Sequence, residues 1–144
     1  MVAKSARQFD EQAHRLLTVW AAECAEHVLP IFEEITPQYD RPRKAIEAAR
    51  LWARSDLVMV DARKAAFAAH AAARAARHAA AQAAARAAGH AAATAHVAEH
   101  ARHAAAYAVK AAEINRFAGN AESDWQLQRL PESLRPALYP NSRD

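Results

Sequence analysis

A single cysteine, Cys24, rules out any disulfide within the chain. Its helical spacing from Trp20 and His27 predicts a buried structural thiol rather than a nucleophile, which fits a reducing cytoplasm. Glycine occurs only twice and β-branched residues are scarce, so sheets are disfavoured and an all-α protein is expected. No uncharged apolar run reaches the roughly eighteen residues that a membrane-spanning helix needs. The N-terminal stretch MVAKSARQFDEQAHRL has no apolar stretch and no small-residue cleavage site, so no signal peptide is expected. A glycine-rich phosphate loop, a Ser/His/Asp setting and a CxxC pair are all missing. The sequence therefore leans away from an enzyme.

In place of these features stands alanine. Between Ala62 and Ala112 it makes up well over half the residues. Alanine is the strongest helix former and loses almost no side-chain entropy on folding. Alanine-faced helices approach closely but bury little apolar area per contact. The core should therefore be thin in bulky groups, with Trp20, Trp52, Trp125, Phe9, Phe32, Phe67, Phe117 and Tyr107 as its large anchors. Three tryptophans and a net charge of only +3 argue against a disordered alanine-rich polymer.

Charge is unevenly spread. Up to Asp40 there are three basic and seven acidic residues, and from Arg41 to Arg86 ten basic and three acidic. The remainder balances. The basic middle suits an acidic or anionic partner, or is simply a solvated face on arginine-rich helices. Nucleic acid is disfavoured, because no recognised module and little aromatic interleaving occur there.

Helical spacing organises the chain. Phe9, Ala13, Leu16, Trp20, Cys24, His27 and Ile31 recur at steps of three and four, forming one seam widened by Leu17, Ala21 and Val28. This helix should start near Ser5 or Asp10, and Pro30 should kink or break it near Leu29. Residues 36–39 read as a loop. Asp40 is a candidate cap, with Pro42 in the first turn of a second helix that runs to about Arg54. That helix should bury Ile46, Ala49, Trp52 and Ala53 and expose Arg43, Lys44, Glu47 and Arg50. A third helix runs to about Arg77 with Leu57, Val60, Phe67 and Ala71 on one side. A break is expected near His78. Helix is then favoured to Phe117, where Gly119 and Asn120 end it. Gly89 marks a turn or permits close approach of a neighbour. The break is placed near Thr94, as a cap for the following helix. The segment from Trp125 to Leu138 should fold back as a lid.

Histidine supplies most of the chemistry. His96-Val97-Ala98-Glu99-His100 matches H-x-x-E-H, which places two zinc ligands one helical turn apart around a glutamate. A third ligand is not marked, since nothing singles out Glu113 or Glu122. His96, His100, His103 and Tyr107 form a stripe at steps of four, three and four. His90 meets that stripe only if the chain turns between them, and His70 lies on another helix near Arg63 and Arg74. Three readings stay open. These groups hydrogen-bond between helices, line a pocket for a ligand or a divalent metal such as zinc, or face water. His14, His27 and His78 are isolated and read as structural or exposed.

Four segments carry a resemblance: WAAECAEHVLPIFEE (20–34), RPRKAIEAARLWAR (41–54), AAFAAHAAARAA (65–76) and AARAAGHAAATAHVAEHARHAAAYA (84–108). They resemble the immunity-protein-five-like family of bacterial polymorphic-toxin systems. The tract around Gly89, His90, Thr94, His96 and His100 is the most specific part. The resemblance implies an all-α cytosolic protein that binds and neutralises a toxin delivered between bacteria. It implies no particular toxin-binding residues.

The expectation is thus a compact all-α bundle of five or six helices, a single domain over 1–144 with residues 1–8 and 140–144 frayed. A cognate protein toxin is the expected partner, met through a charged helix face in the cytoplasm. The alternative is a small-molecule-binding protein or small enzyme with a pocket lined by His70, His90, His96, Glu99, His100 and Tyr107, in which His96 and His100 are the metal ligands. Exposed alanine surface also suggests a homodimer.

Overall fold

The computed structural model describes residues 9–115 and 119–140, with Gly119 and Asn120 described by backbone alone; Ser5, Phe117 and the expected frayed ends 1–8 and 140–144, apart from Pro140, lie outside these. The described residues hold seven α-helices: α1 (Glu11–Ile35), α2 (Arg41–Ala53), α3 (Met59–Ala75), α4 (Ala79–Ala93), α5 (His100–Ile114), α6 (Gly119–Arg129) and the four-residue α7 (Arg135–Leu138). A 3₁₀ turn, Glu132–Leu134, precedes α7. No strand occurs among the described residues. The class is all-α, with one or two more helices than expected because the C-terminal lid breaks into short pieces.

Asp10 starts α1: its Oδ1 accepts the Ala13 N–H at 2.8 Å. The helix then runs through Pro30 to Ile35 without the expected break. Pro30 is exposed, so the helix loses its hydrogen bond on the side where water can reach the freed carbonyl. The buried stripe of α1 is centred on Leu17, Trp20, Ala21, Cys24, Val28, Ile31 and Phe32. Leu16 and His27, placed in the seam by spacing, lie at its exposed margin. Burial raises the Cys24 thiol pKa well above its usual value, as befits a structural thiol.

The loop over 36–39 and the Pro42 position in α2 match expectation. Asp40 occupies the N-cap position but makes no capping bond, and its carboxylate instead lies 3.4 Å from Lys44 Nζ. Trp52, Ala53 and Arg50 are only partly buried. Ser55 stops α2 in a left-handed conformation, φ 68°, with the Ser55 and Asp56 N–H groups donating to the Trp52 and Leu51 carbonyls.

α4 lies at the centre, packed on α1, α2, α3 and α5. Ten of its fifteen residues are buried, and all but Gly89 are alanine. Such a helix can be surrounded closely because no side chain holds its neighbours off. α3 reverses the expected polarity. Its alanines Ala62, Ala66, Ala69, Ala72 and Ala73 face inward, while Val60 and Phe67 face water. Against an alanine-covered α4 the small face of α3 fits and the bulky one does not.

The chain breaks at His78 and at Thr94 as expected. Thr94 ends α4 rather than capping α5, with its Oγ1 donating to the His90 carbonyl at 2.9 Å. α5 ends at Ile114, and Gly119 opens α6 rather than closing α5. The C-terminal segment does fold back. Trp20 Nε1 donates to the Gln126 carbonyl at 2.8 Å, Gln126 Nε2 to the Ala105 carbonyl at 2.9 Å, and Arg102 to the Leu138 carbonyl at 3.1 Å. Leu130, Leu134 and Leu138 are buried beneath it.

Candidate functional site

The turn over residues 94–99 reverses the chain and brings the end of α4 against the start of α5. His90 thereby becomes the centre of a ring cluster. Its Nδ1 lies 2.9 Å from His100 Nδ1. Ring centroids stand 4.9 Å away at His70, 5.1 Å at His100, 5.3 Å at His103 and 5.3 Å at Tyr107, the last nearly parallel at 8°. His70 reaches in from α3 because Gly89 has no side chain. A Cβ at Gly89 would sit 2.6–2.9 Å from three atoms of the His70 ring. Gly89 does not have positive φ, so its value here is space rather than backbone freedom.

Two nitrogens 2.9 Å apart must share one proton, one ring donating Nδ1–H and the other accepting. That requires both rings to be neutral or one at most to be charged. Partial burial and the neighbouring His70, His100, His103 and Arg86 push the His90 pKa down to about 3. Partial burial also lowers His100, aided by His103 and His96 and opposed by Glu99. It lowers His70 too, with help from Arg86 and Arg74. His70, His90 and His100 are therefore held in the neutral form near pH 7, inside a hydrogen-bonded and stacked ring cluster.

Of the sequence candidates, His70, His90, His100 and Tyr107 meet, and His103 joins them from the same stripe. His96 and Glu99 are exposed in the turn before α5. The H-x-x-E-H pattern spans that turn rather than one helix, with His96 still near enough to help lower the His100 pKa. Among the described residues no three His, Cys, Asp or Glu side chains converge as metal ligands.

Two histidines read as isolated have partners. His14 Nε2 lies 2.6 Å from the Thr94 carbonyl, and its ring packs on Trp52. His27 Nδ1 is 2.9 Å from Glu122 Oε1, and its ring stacks on Trp125 at 3.6 Å with Arg129 over the far side at 4.7 Å. The His14–Thr94 and His27–Glu122 contacts join residues 80 and 95 positions apart, with no local spacing to announce them. His78 is exposed.

A second feature lies on the outward side of α3. Val60, Arg63, Lys64, Phe67 and Arg74 fall on one helical face, and all are exposed. Phe67 is 60% exposed, with the Arg63 guanidinium 5.6 Å from its ring centroid. An open groove of about 620 Å³ lies elsewhere, between the start of α1 and Ala53, lined in part by Arg15, Leu16 and Val19.

No helix among the described residues is long and apolar enough to cross a membrane. No curated protein and no solved structure matches the chain. The sequence model of one family, described as Imm-5 like putative immunity protein, matches residues 7–133. The chain belongs to this Imm-5 like immunity-protein family.

Proposed function

We propose that this protein binds a cognate bacterial toxin in the cytoplasm and neutralises it by occlusion. One observation carries the reading beyond family membership. Bulky apolar side chains are scarce here and the core is largely alanine, yet Val60 and Phe67 are held in water on α3. Exposed aromatic and aliphatic groups on a rigid helix favour a binding surface. The test is to mix the purified protein with the purified toxin domain encoded beside its gene. A stable complex with loss of toxin activity is expected. Full toxin activity in the presence of excess protein overturns the reading.

The ring cluster favours a second reading: a small ligand or a divalent metal held at His90 and His100, with His70, His103 and Tyr107 around them. Neutral imidazoles are the form that ligates metal or accepts hydrogen bonds. Titration with Zn²⁺ followed by calorimetry tests it. Saturable binding that disappears in His90→Ala supports the site. Absence of binding leaves the cluster as an interhelical network.

A further inference from the structure

Resting on the toxin-binding reading, we infer that the outward face of α3, centred on Phe67 and extending to Arg86 on α4, is the docking surface, and that the surface it meets is an acidic protein patch with an apolar recess. The basic block of the sequence is divided by the fold into two unlike halves. On α2 every cation but Arg41, whose guanidinium lies 5.8 Å from the Tyr39 ring centroid, is paired within the molecule. Arg43 makes two 2.7 Å bonds to Glu33, and Arg50 one to Glu26. Lys44 pairs with Asp40, and Arg54 with Asp56. Three acids of the N-terminal third, Glu26, Glu33 and Asp40, thus serve as counter-charges of α2.

From α3 through α4 the situation differs. Arg63, Lys64, Arg74, Arg77 and Arg86 accompany a single acid, Asp61, between Met59 and Ala93. None of these five cations forms an ion pair among the described residues. Arg63 instead covers Phe67, and Arg74 and Arg86 lie close enough to His70 to lower its pKa. This half of the block carries unpaired positive charge, and Arg63, Lys64 and Arg74 share the outward face of the exposed Phe67 ring, the composition of a binding centre rather than of a merely solvated face.

The same charge selects among occupants. A second copy docking isologously on α3 would set Arg63, Lys64 and Arg74 against themselves. Nucleic acid would use stacking rings between the cations, whereas this face offers one ring flanked by Val60. An acidic protein surface answers both the cations and the apolar centre.

The test has two arms. In the first, labelled protein is titrated with poly-L-glutamate and followed by NMR. Shifts should gather on residues 60–77 and at Arg86, and binding should weaken about tenfold or more between roughly 0.05 and 0.3 M salt. The combined Arg63→Glu, Lys64→Glu and Arg74→Glu variant should lose binding, and Arg43→Glu should keep it. All these positions are exposed; circular dichroism checks helicity, and the three single reversals serve if the combined one misfolds. Shifts centred on α2, or a single-stranded oligonucleotide that displaces poly-L-glutamate at lower concentration, overturn the inference. In the second arm, Phe67→Ala should weaken inhibition of the adjacent-gene toxin domain at least about tenfold. Equal inhibition by wild type, Phe67→Ala and the combined variant overturns the docking face and leaves the immunity reading standing. Failure of wild type itself to bind the toxin domain overturns the immunity reading, while the first arm still decides the chemistry of the face.

Discussion

Gly89→Ala separates a packing account of the histidine cluster from a propensity account. Within a helix, replacing glycine by alanine stabilises by about 0.8–1.0 kcal/mol. Gly89 lies inside α4 and is buried. Propensity alone therefore predicts a stabilised protein. The structure predicts otherwise, because the added methyl would lie 2.6 Å from Cε1 and 2.7 Å from Nε2 of His70. Overpacking of this kind costs about 1–3 kcal/mol. The net effect in the wild-type background should range from roughly neutral to about 2 kcal/mol destabilising, as His70 is pushed off His90. With His70→Ala already in place the clash is gone, and the same substitution should stabilise by about 1 kcal/mol. The assay is urea denaturation of the four proteins in a double-mutant cycle, with a coupling of about 1–3 kcal/mol expected. Gly89→Ala should also return the His70 titration, read by NMR, toward the usual imidazole range. Equal stabilisation in both backgrounds refutes the seating of His70 against Gly89.

Acid should loosen the protein before its carboxylates titrate. The folded pKa values of His70, His90 and His100 are depressed, so the unfolded chain binds more protons below the ordinary value near 6.5. Stability is fully present above about 6.5 and falls as pH drops toward the His90 value of about 3. Solvent screening at these half-exposed rings keeps the slope well under about 1.4 kcal/mol per pH unit per histidine. Urea midpoints should drop between pH 7 and 5, and His90→Gln should flatten that drop; a midpoint constant over this range contradicts the neutral cluster. Trp20→Phe removes the indole donor from the Gln126 carbonyl, which keeps only the Leu130 N–H, and should cost about 0.5–1.5 kcal/mol. Hydrogen exchange should then accelerate in α6 ahead of α4, and uniform acceleration would show that the lid is not anchored there. Ala88→Leu puts a branched chain where exposure is 0%, and should destabilise by about 1–3 kcal/mol or more, read as a lower thermal midpoint.

Helix boundaries were legible where local chemistry decides them. Asp10 caps by its own side chain, Pro42 suits a first turn, and Thr94 closes α4 on the His90 carbonyl. Spacing was less informative about which face is buried. In α3 the usual rule puts Phe67 and Val60 inside, but α4 is so uniformly alanine that the opposing small face packs better, and the ring turns outward. Pro30 does not break α1 for a related reason: its cost depends on whether the lost bond faces water, which the sequence does not state. The ring cluster was half legible. His90, His100, His103 and Tyr107 could be joined only by a turn between them, which Thr94 allows. Treating His96 as part of the α5 stripe extended a helical period across residues that are not helical. The pairing of α1 carboxylates with α2 guanidinium groups, on which the division of the basic block rests, depends on how two helices lie together. No local period encodes it.

Hydroxyl-radical footprinting of Phe67, in the free protein and in its complex with a toxin domain encoded beside its gene, decides whether α3 is the docking face. The ring is 60% exposed in the free protein and should oxidise readily. In a saturated complex its oxidation should fall several-fold, while Tyr39, exposed in the α1–α2 loop, continues to react. Unchanged oxidation of Phe67 in a complex that inhibits the toxin would contradict docking through α3.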